Sequence, residues 1–165
     1  MSRGPSDKPP KEKPSAYGKA LGLLSRREHS QRELKAKLSR GGYERDETST
    51  AIDALTTSEY QSDSRFAELL ARSRASQGYG PRRIFAELKS HGVIDADIVA
   101  AIAAADCDWD EIARRQIQRH YGRTAAGDQK ERARRAAFLL RRGFDGATVS
   151  AVTRADVGDP GDEFD

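Results

Sequence analysis

Apolar residues recur along this chain at the three- and four-residue spacing of helices, and strand-like alternation is absent. Tyr17, Ala20, Leu21 and Leu24 lie at i, i+3, i+4 and i+7. Thr48, Ala51, Ile52 and Leu55 repeat that spacing, as do Ile98, Ala101, Ile102 and Ala105. Trp109, Ile112, Ala113, Gln116, Ile117, His120 and Tyr121 extend it over three turns. Each set falls on one face of a helix, so the pattern predicts an all-α protein whose helices each bury a single stripe.

Caps and breakers divide these stripes. Ser30-Gln-Arg-Glu33 reads as a capping box opening a helix that holds Leu34 and Leu38, and Gly41-Gly42 ends it. Pro81 suits the first turn of a helix holding Ile84 and Leu88, which Gly92 ends. Asp95 is an N-cap candidate for the next helix. Gly127 and Asp128 start a helix through Phe138, Leu139 and Leu140, closed by Gly143, and Asp145 caps a last short helix with Val149 and Val152.

These signals repeat. Gly42-Tyr43, Gly92-Val93 and Gly143-Phe144 fall 50 and 51 residues apart, and Leu38, Leu88 and Leu139 keep the same offset before them. Thr48, Ile98 and Val149 each follow five residues after the Tyr, Val or Phe. Three registered columns imply three tandem three-helix repeats, at residues 15–58, 59–106 and 107–155, forming an elongated, curved array. A repeat of this size can barely form its own core, so part of the stability is expected from neighbouring repeats. Residues 1–14 hold four prolines and no apolar residue after Met1, and are expected to be a disordered tail. Residues 156–165, with Gly158, Pro160 and Gly161, are expected to be a second one.

Composition narrows the function classes. A mean hydropathy of -0.79 and no apolar run near ~20 residues argue against a membrane span. There is no signal-peptide pattern, and Cys107 is the single cysteine, so a reducing, cytoplasmic setting is consistent. The net charge of +3 conceals an asymmetry. Asp156, Asp159, Asp162, Glu163 and Asp165 sit in a segment with no Lys or Arg, which leaves +8 on residues 1–155. A basic body with an acidic end suggests a surface that faces polyanions, although both features also serve solubility.

Catalytic chemistry is not signalled. His29, His91 and His120 are scattered, with no carboxylate, Ser or Cys at motif spacing. His120 is expected at the edge of the core, and His91 at a helix end. One Cys and dispersed His do not make a zinc site. Gly78-Tyr-Gly80 lacks the following Gly and Lys of a phosphate loop. Asp106, Asp108, Asp110 and Glu111 are read as helix-start acids rather than a metal cluster. The chain is therefore expected to be no enzyme and to need no cofactor or metal.

Arginine is the stronger signal. Arg72, Arg74, Arg82 and Arg83 flank the Gly-Tyr-Gly turn. Between residues 113 and 142 only Asp128 and Glu131 oppose a run of basic side chains. Guanidinium forks suit phosphates and carboxylates alike. Solvated helix faces would look the same, and Tyr79 in the turn is either a stacking contact or a packed turn tyrosine.

One family resemblance covers residues 16–154. Ala20-Leu21, Leu24, Arg27-Glu28, Ser30, Glu33-Leu34, Leu38 and Gly42-Tyr43 resemble the opening of the bacterial regulatory RecX proteins. Tyr60, Asp63-Ser-Arg-Phe-Ala67, Arg72-Ser-Arg74, Gly78, Gly80, Arg83-Ile84 and Glu87-Leu88 resemble that family's central signature, and Arg141-Arg-Gly-Phe144 its closing unit. The chain departs from the pattern at His29, at Gln61-Ser62 and at Val93. The resemblance implies a small, non-enzymatic modulator of the RecA recombinase. Such a protein lies along the RecA–DNA filament and inhibits its ATPase, strand-exchange and coprotease activities, which bears on homologous recombination, DNA repair and the SOS response. It also implies binding of single- and double-stranded DNA, by a chain expected to be monomeric. The expected contacts are Arg65, Arg72, Arg74, Arg82 and Arg83 in the second repeat, and Arg115, Arg119, Arg134, Arg135 and Arg142 in the third. The alternative is a stand-alone DNA-binding or transcription-regulatory protein, though no dimerisation element or clear recognition helix is visible.

Overall fold

The computed structural model describes residues 12–155. The tail expectations for residues 1–11 and 156–165 lie outside the described residues. Among the described residues the chain is entirely helical, with nine helices in three sets of three. The first repeat holds α1 (Ala16–Leu24), α2 (Gln31–Arg40) and α3 (Arg45–Thr57). The second holds α4 (Asp63–Ser76), α5 (Pro81–Ser90) and α6 (Asp95–Ala104). The third holds α7 (Trp109–Tyr121), α8 (Gln129–Arg141) and α9 (Gly146–Ala155). Within each repeat the third helix packs against the other two.

The registered columns have a physical cause. The middle helix of every repeat ends in the same left-handed glycine cap, with φ of 74° at Gly42, 80° at Gly92 and 92° at Gly143. Only glycine adopts such values without a Cβ penalty. The residue after each glycine donates its N–H back to the leucine carbonyl five positions earlier: Tyr43 to Leu38, Val93 to Leu88 and Phe144 to Leu139. These are Schellman bonds, and they set each leucine against the side chain just beyond the glycine. Leu38, Leu88 and Leu139 are all 0% exposed. Truncating any of them to alanine would cost about 2–5 kcal/mol.

The other caps follow their sequence signals with two exceptions, one being the Ser30 box, which forms only by half because the Glu33 carboxylate is held by Arg27 rather than by the Ser30 N–H. Ser30, Ser62, Asp108, Asp128 and Asp145 each accept a hydrogen bond from the backbone N–H three residues on. Asp95 does not cap α6: Ile94 holds that position and Asp95 is the first helical residue, where its charge suits the helix dipole and pairs with Lys89. Two stripe positions also differ from expectation. Tyr17 is 37% exposed, because α1 buries Ala16 and Ala20 instead. His120 is exposed rather than at the core edge, stacked 4.4 Å from the Phe138 ring.

The core is in two parts, not three. Ala16, Ala20, Leu34, Leu38, Ala51, Ile52 and Leu55 close a small core within the first repeat. The second and third repeats share one continuous core, running from Phe66 and Ala67 through Ile84, Leu88 and Ile98 to Ile112, Ile117, Leu139 and Val152. Lys13 and Pro14 lie against the first repeat: Lys13 Nζ donates to the Gly42 carbonyl at 2.9 Å, and Tyr43 donates to the Pro14 carbonyl at 2.8 Å.

Candidate partner-binding surface

The ten arginines singled out in the sequence divide by what holds them. Four are committed to the fold. Arg65, at the start of α4, donates to Glu28 of the first repeat at 2.8 Å and to the Glu59 and Tyr60 carbonyls. Arg74 donates through Nε and Nη2 to the Glu87 carboxylate at 2.7–3.1 Å, which ties α4 to α5. That hydrogen bonding holds Glu87 below the usual carboxylate range, although burial opposes it. Arg142 donates to the Gly78 carbonyl at 2.9 Å and the Gln77 carbonyl at 2.8 Å. Arg135 is 1% exposed, paired with Glu131 at 2.6 Å and lying 5.2 Å from the Tyr121 ring centroid. Its place on the inner face of α8 removes it from the accessible surface; neighbouring arginines in the run give no sequence sign of this.

The other six are exposed. Arg72 and Arg115 make long ion pairs within their own helices, to Glu68 at 3.4 Å and to Glu111 at 3.7 Å. Such pairs at the surface are worth under about 1 kcal/mol and leave the charges available to a partner. Arg83 rests 4.5 Å from the Tyr79 ring centroid, as does Arg142, so Tyr79 is a half-buried turn residue covered by guanidinium groups. Arg82, Arg119 and Arg134 make no side-chain hydrogen bond or ion pair with the described residues.

The fold gathers five of the ten into two places, and Arg82 and Arg134 line neither. Arg72, Arg115 and Arg119 line a groove of about 400 Å³ between α4 and α7, floored by Ala75, Gly78, Ile112 and Gln116. Arg74, Tyr79, Arg83 and Glu87 line a second cleft beside the Gly-Tyr-Gly turn. Arg65 lies apart from both, at the junction of the first two repeats. Gln116 falls within an apolar stripe of α7. Its break in that stripe was the available signal for a polar groove floor. No group of His, Cys, Asp and Glu among the described residues is arranged to hold a metal ion. Burial and the Asp106 charge push the Cys107 thiol up, away from the reactive thiolate.

Comparison with known proteins sets this surface in a family. Residues 16–55 match the model described as RecX, first three-helix domain, residues 62–102 the second, and residues 107–153 the third. The chain belongs to the RecX family of regulatory proteins. It is 47% identical over 141 residues to the regulatory protein RecX of Xanthomonas axonopodis pv. citri, covering 86% of this chain and 87% of that one. It is 45% identical to the RecX of Stenotrophomonas maltophilia strain K279a, covering 86% of each. The crystal structure of RecX from Lactobacillus salivarius superposes with a TM-score of 0.71 at 20% identity, over 85% of this chain and 93% of that one. The RecX fold is thus kept where the sequences have diverged widely.

Proposed function

We propose that this chain is a negative modulator of the RecA recombinase. It binds the RecA–DNA filament as a monomer and lowers its ATPase, strand-exchange and coprotease activities, thereby restraining recombinational repair and the SOS response. The observation that carries this reading is the match to all three RecX domains in order across residues 16–153. The exposed arginines Arg72, Arg82, Arg83, Arg115, Arg119 and Arg134 support it, since they lie on successive repeats of one basic chain. Contacts spread over two repeats would add through effective concentration, so a filament could be held without a single deep pocket. DNA phosphate and acidic protein surface are both suitable counterparts.

The test is the ATPase of the cognate RecA on single-stranded DNA, with this protein titrated in. Inhibition at well below one molecule per RecA supports the reading and favours action at filament ends. Inhibition only near equimolar amounts supports coating along the filament. No inhibition, together with tight binding to bare DNA, overturns it in favour of a stand-alone DNA-binding protein. Charge reversal at Arg82, Arg83, Arg119 and Arg134 is expected to weaken filament binding at least tenfold and flatten its salt dependence.

A further inference from the structure

The three repeats supply an internal comparison for the last helix of each set. The glycine caps at Gly42, Gly92 and Gly143 put α3, α6 and α9 in register, 50 and 51 residues apart. Where the first and third repeats carry Glu44 and Asp145, the second carries Ile94. Where they carry Ser49 and Ser150 it has Val99, and where they carry Asp53 and Arg154 it has Ala103. All three apolar residues are exposed, Ile94 by 63% and Val99 by 60%. Ile94 also takes the N-cap position, so α6 lacks the side-chain hydrogen bond that Asp145 gives α9. The core does not call for these changes, since α6 already buries Ile98 and Ala101 and packs on α4 and α5.

The outer face of α6 opens into a cleft of about 380 Å³, lined by Val99, Ile102 and Ala103 together with Trp109 of α7 and the linking Asp106 and Cys107. Its surroundings are acidic. Residues 90–113 carry Asp95, Asp97, Asp106, Asp108, Asp110 and Glu111 and no Lys or Arg, in a chain whose residues 1–155 sum to +8. Asp106 and Asp110 pair with no cation among the described residues. Asp95 stands one turn before Val99 on the same face, and its exposed pair with Lys89 is weak enough to be exchanged.

We propose that this cleft docks a basic segment of another protein, with an apolar side chain entering beside Trp109 and flanking Lys or Arg groups meeting Asp95, Asp106 and Asp110. Apolar surface left open in this way marks an interaction site, and a partly buried tryptophan is a typical anchor for one. The charge selects the occupant. Nucleic-acid phosphate and anionic lipid are repelled by the carboxylates, and a second copy docking face to face would set the same acids against each other. The arginine groove adjoins at Cys107, which lines both, so the surface changes sign there and offers two distinct contacts. This inference goes beyond the RecA reading, because any protein bearing such a segment satisfies it.

Trp109 is the single tryptophan, so its emission reports on the cleft. The full chain is titrated with a synthetic amphipathic helical peptide of leucine, alanine and lysine. Two control peptides carry glutamate in place of lysine, or serine in place of leucine. The lysine–leucine peptide is expected to shift Trp109 emission saturably, to bind about tenfold more tightly than either control, and to weaken as salt is raised. Val99→Lys, at an exposed helical position that accommodates it, should cost about tenfold in affinity, and Val99→Ser, the residue of the other two repeats, about threefold. Leu140→Lys, an exposed apolar site on α8, should cost nothing. Unchanged emission, equal binding of the glutamate peptide, or a Val99→Lys variant that binds like the parent would each overturn the proposal. Sedimentation of the chain alone tests the other occupant. A monomer is the expected result; a dimer that Val99→Lys abolishes would mean that a second copy covers the face, and would overturn the assignment to a basic segment.

Discussion

The two junctions of this array are built differently. Between the second and third repeats, helix ends cap one another. Pro81 opens α5 without a side-chain cap, and its missing partners come from the third repeat: Gly80 N–H donates to the Arg142 carbonyl at 2.9 Å, and Arg82 N–H to the Gly143 carbonyl at 3.0 Å. In return the Arg142 side chain satisfies the Gln77 and Gly78 carbonyls at the end of α4. Each exchange answers backbone groups that helix termini leave unpaired. Glycine makes it possible, since a Cβ at Gly80 or Gly143 would strike the opposing backbone. Between the first and second repeats the contacts run through side chains. Asp63 accepts from the Gln31 N–H at 2.9 Å and from Gln61 at 2.8 Å, Gln61 donates to the His29 carbonyl, and Arg65 holds Glu28. One junction continues a core; the other joins two cores across a polar layer. The second and third repeats should therefore unfold together, and the first separately.

Breaking the backbone junction should have the largest effect. Gly143→Ala places a Cβ against Arg83 at a φ of 92°. We expect a loss of about 3 kcal/mol from overpacking and left-handed strain, read as a fall of roughly 12–24 °C in the melting of the second and third repeats together. Gly146→Ala, where a Cβ meets nothing, is the control and should be neutral within about 0.5 kcal/mol. If both variants melt like the parent, the close approach is not what holds the repeats. Arg142→Ala should cost about 2 kcal/mol, because two carbonyls lose their donor and Tyr79 keeps only Arg83 over its ring. Arg65→Ala should cost under about 1 kcal/mol, its guanidinium being half in solvent. Hydrogen exchange should separate these two variants. Arg142→Ala should loosen α5 and α8, while Arg65→Ala should loosen α1–α3 and leave the larger core protected.

This contrast shows what was legible in the sequence. The three repeats could be read because each Leu, Gly and following apolar residue belongs to one local motif, the glycine cap. Local motifs leave their signature in consecutive residues. The fused core could not be read, because it depends on which helix ends meet across 60 residues. Gly80 offered a partial hint, as a second glycine where the turn at Gly78 already has one. Among the arginines, charge alone did not separate Arg134, exposed, from Arg135, buried beside it. Only helix phase and the fit against Tyr121 decide that. The departures from the RecX pattern at His29 and Gln61 looked independent in sequence; they meet in one buried hydrogen bond at the polar junction.

That meeting gives the smallest and most local prediction. His29 is 3% exposed, and its Nδ1 lies 2.9 Å from the Arg27 carbonyl. Burial pushes its pKa below the ordinary 6.5, and Arg27 and Lys37 push the same way, against the Arg27 carbonyl and the Glu33 carboxylate 3.9 Å from Nε2. The unfolded chain thus binds a proton at His29 more readily than the folded one. Its contribution is fully present above 6.5 and is lost as pH falls through that value toward the lower folded pKa. Of the two cores, only the first should respond. Between pH 7.5 and 5.5, exchange in α1–α3 should quicken relative to α4–α9, and His29→Gln should remove the difference. If both cores lost protection in parallel, the polar layer would not be the weaker boundary, and the contrast between the junctions would fail where it is most exposed to test.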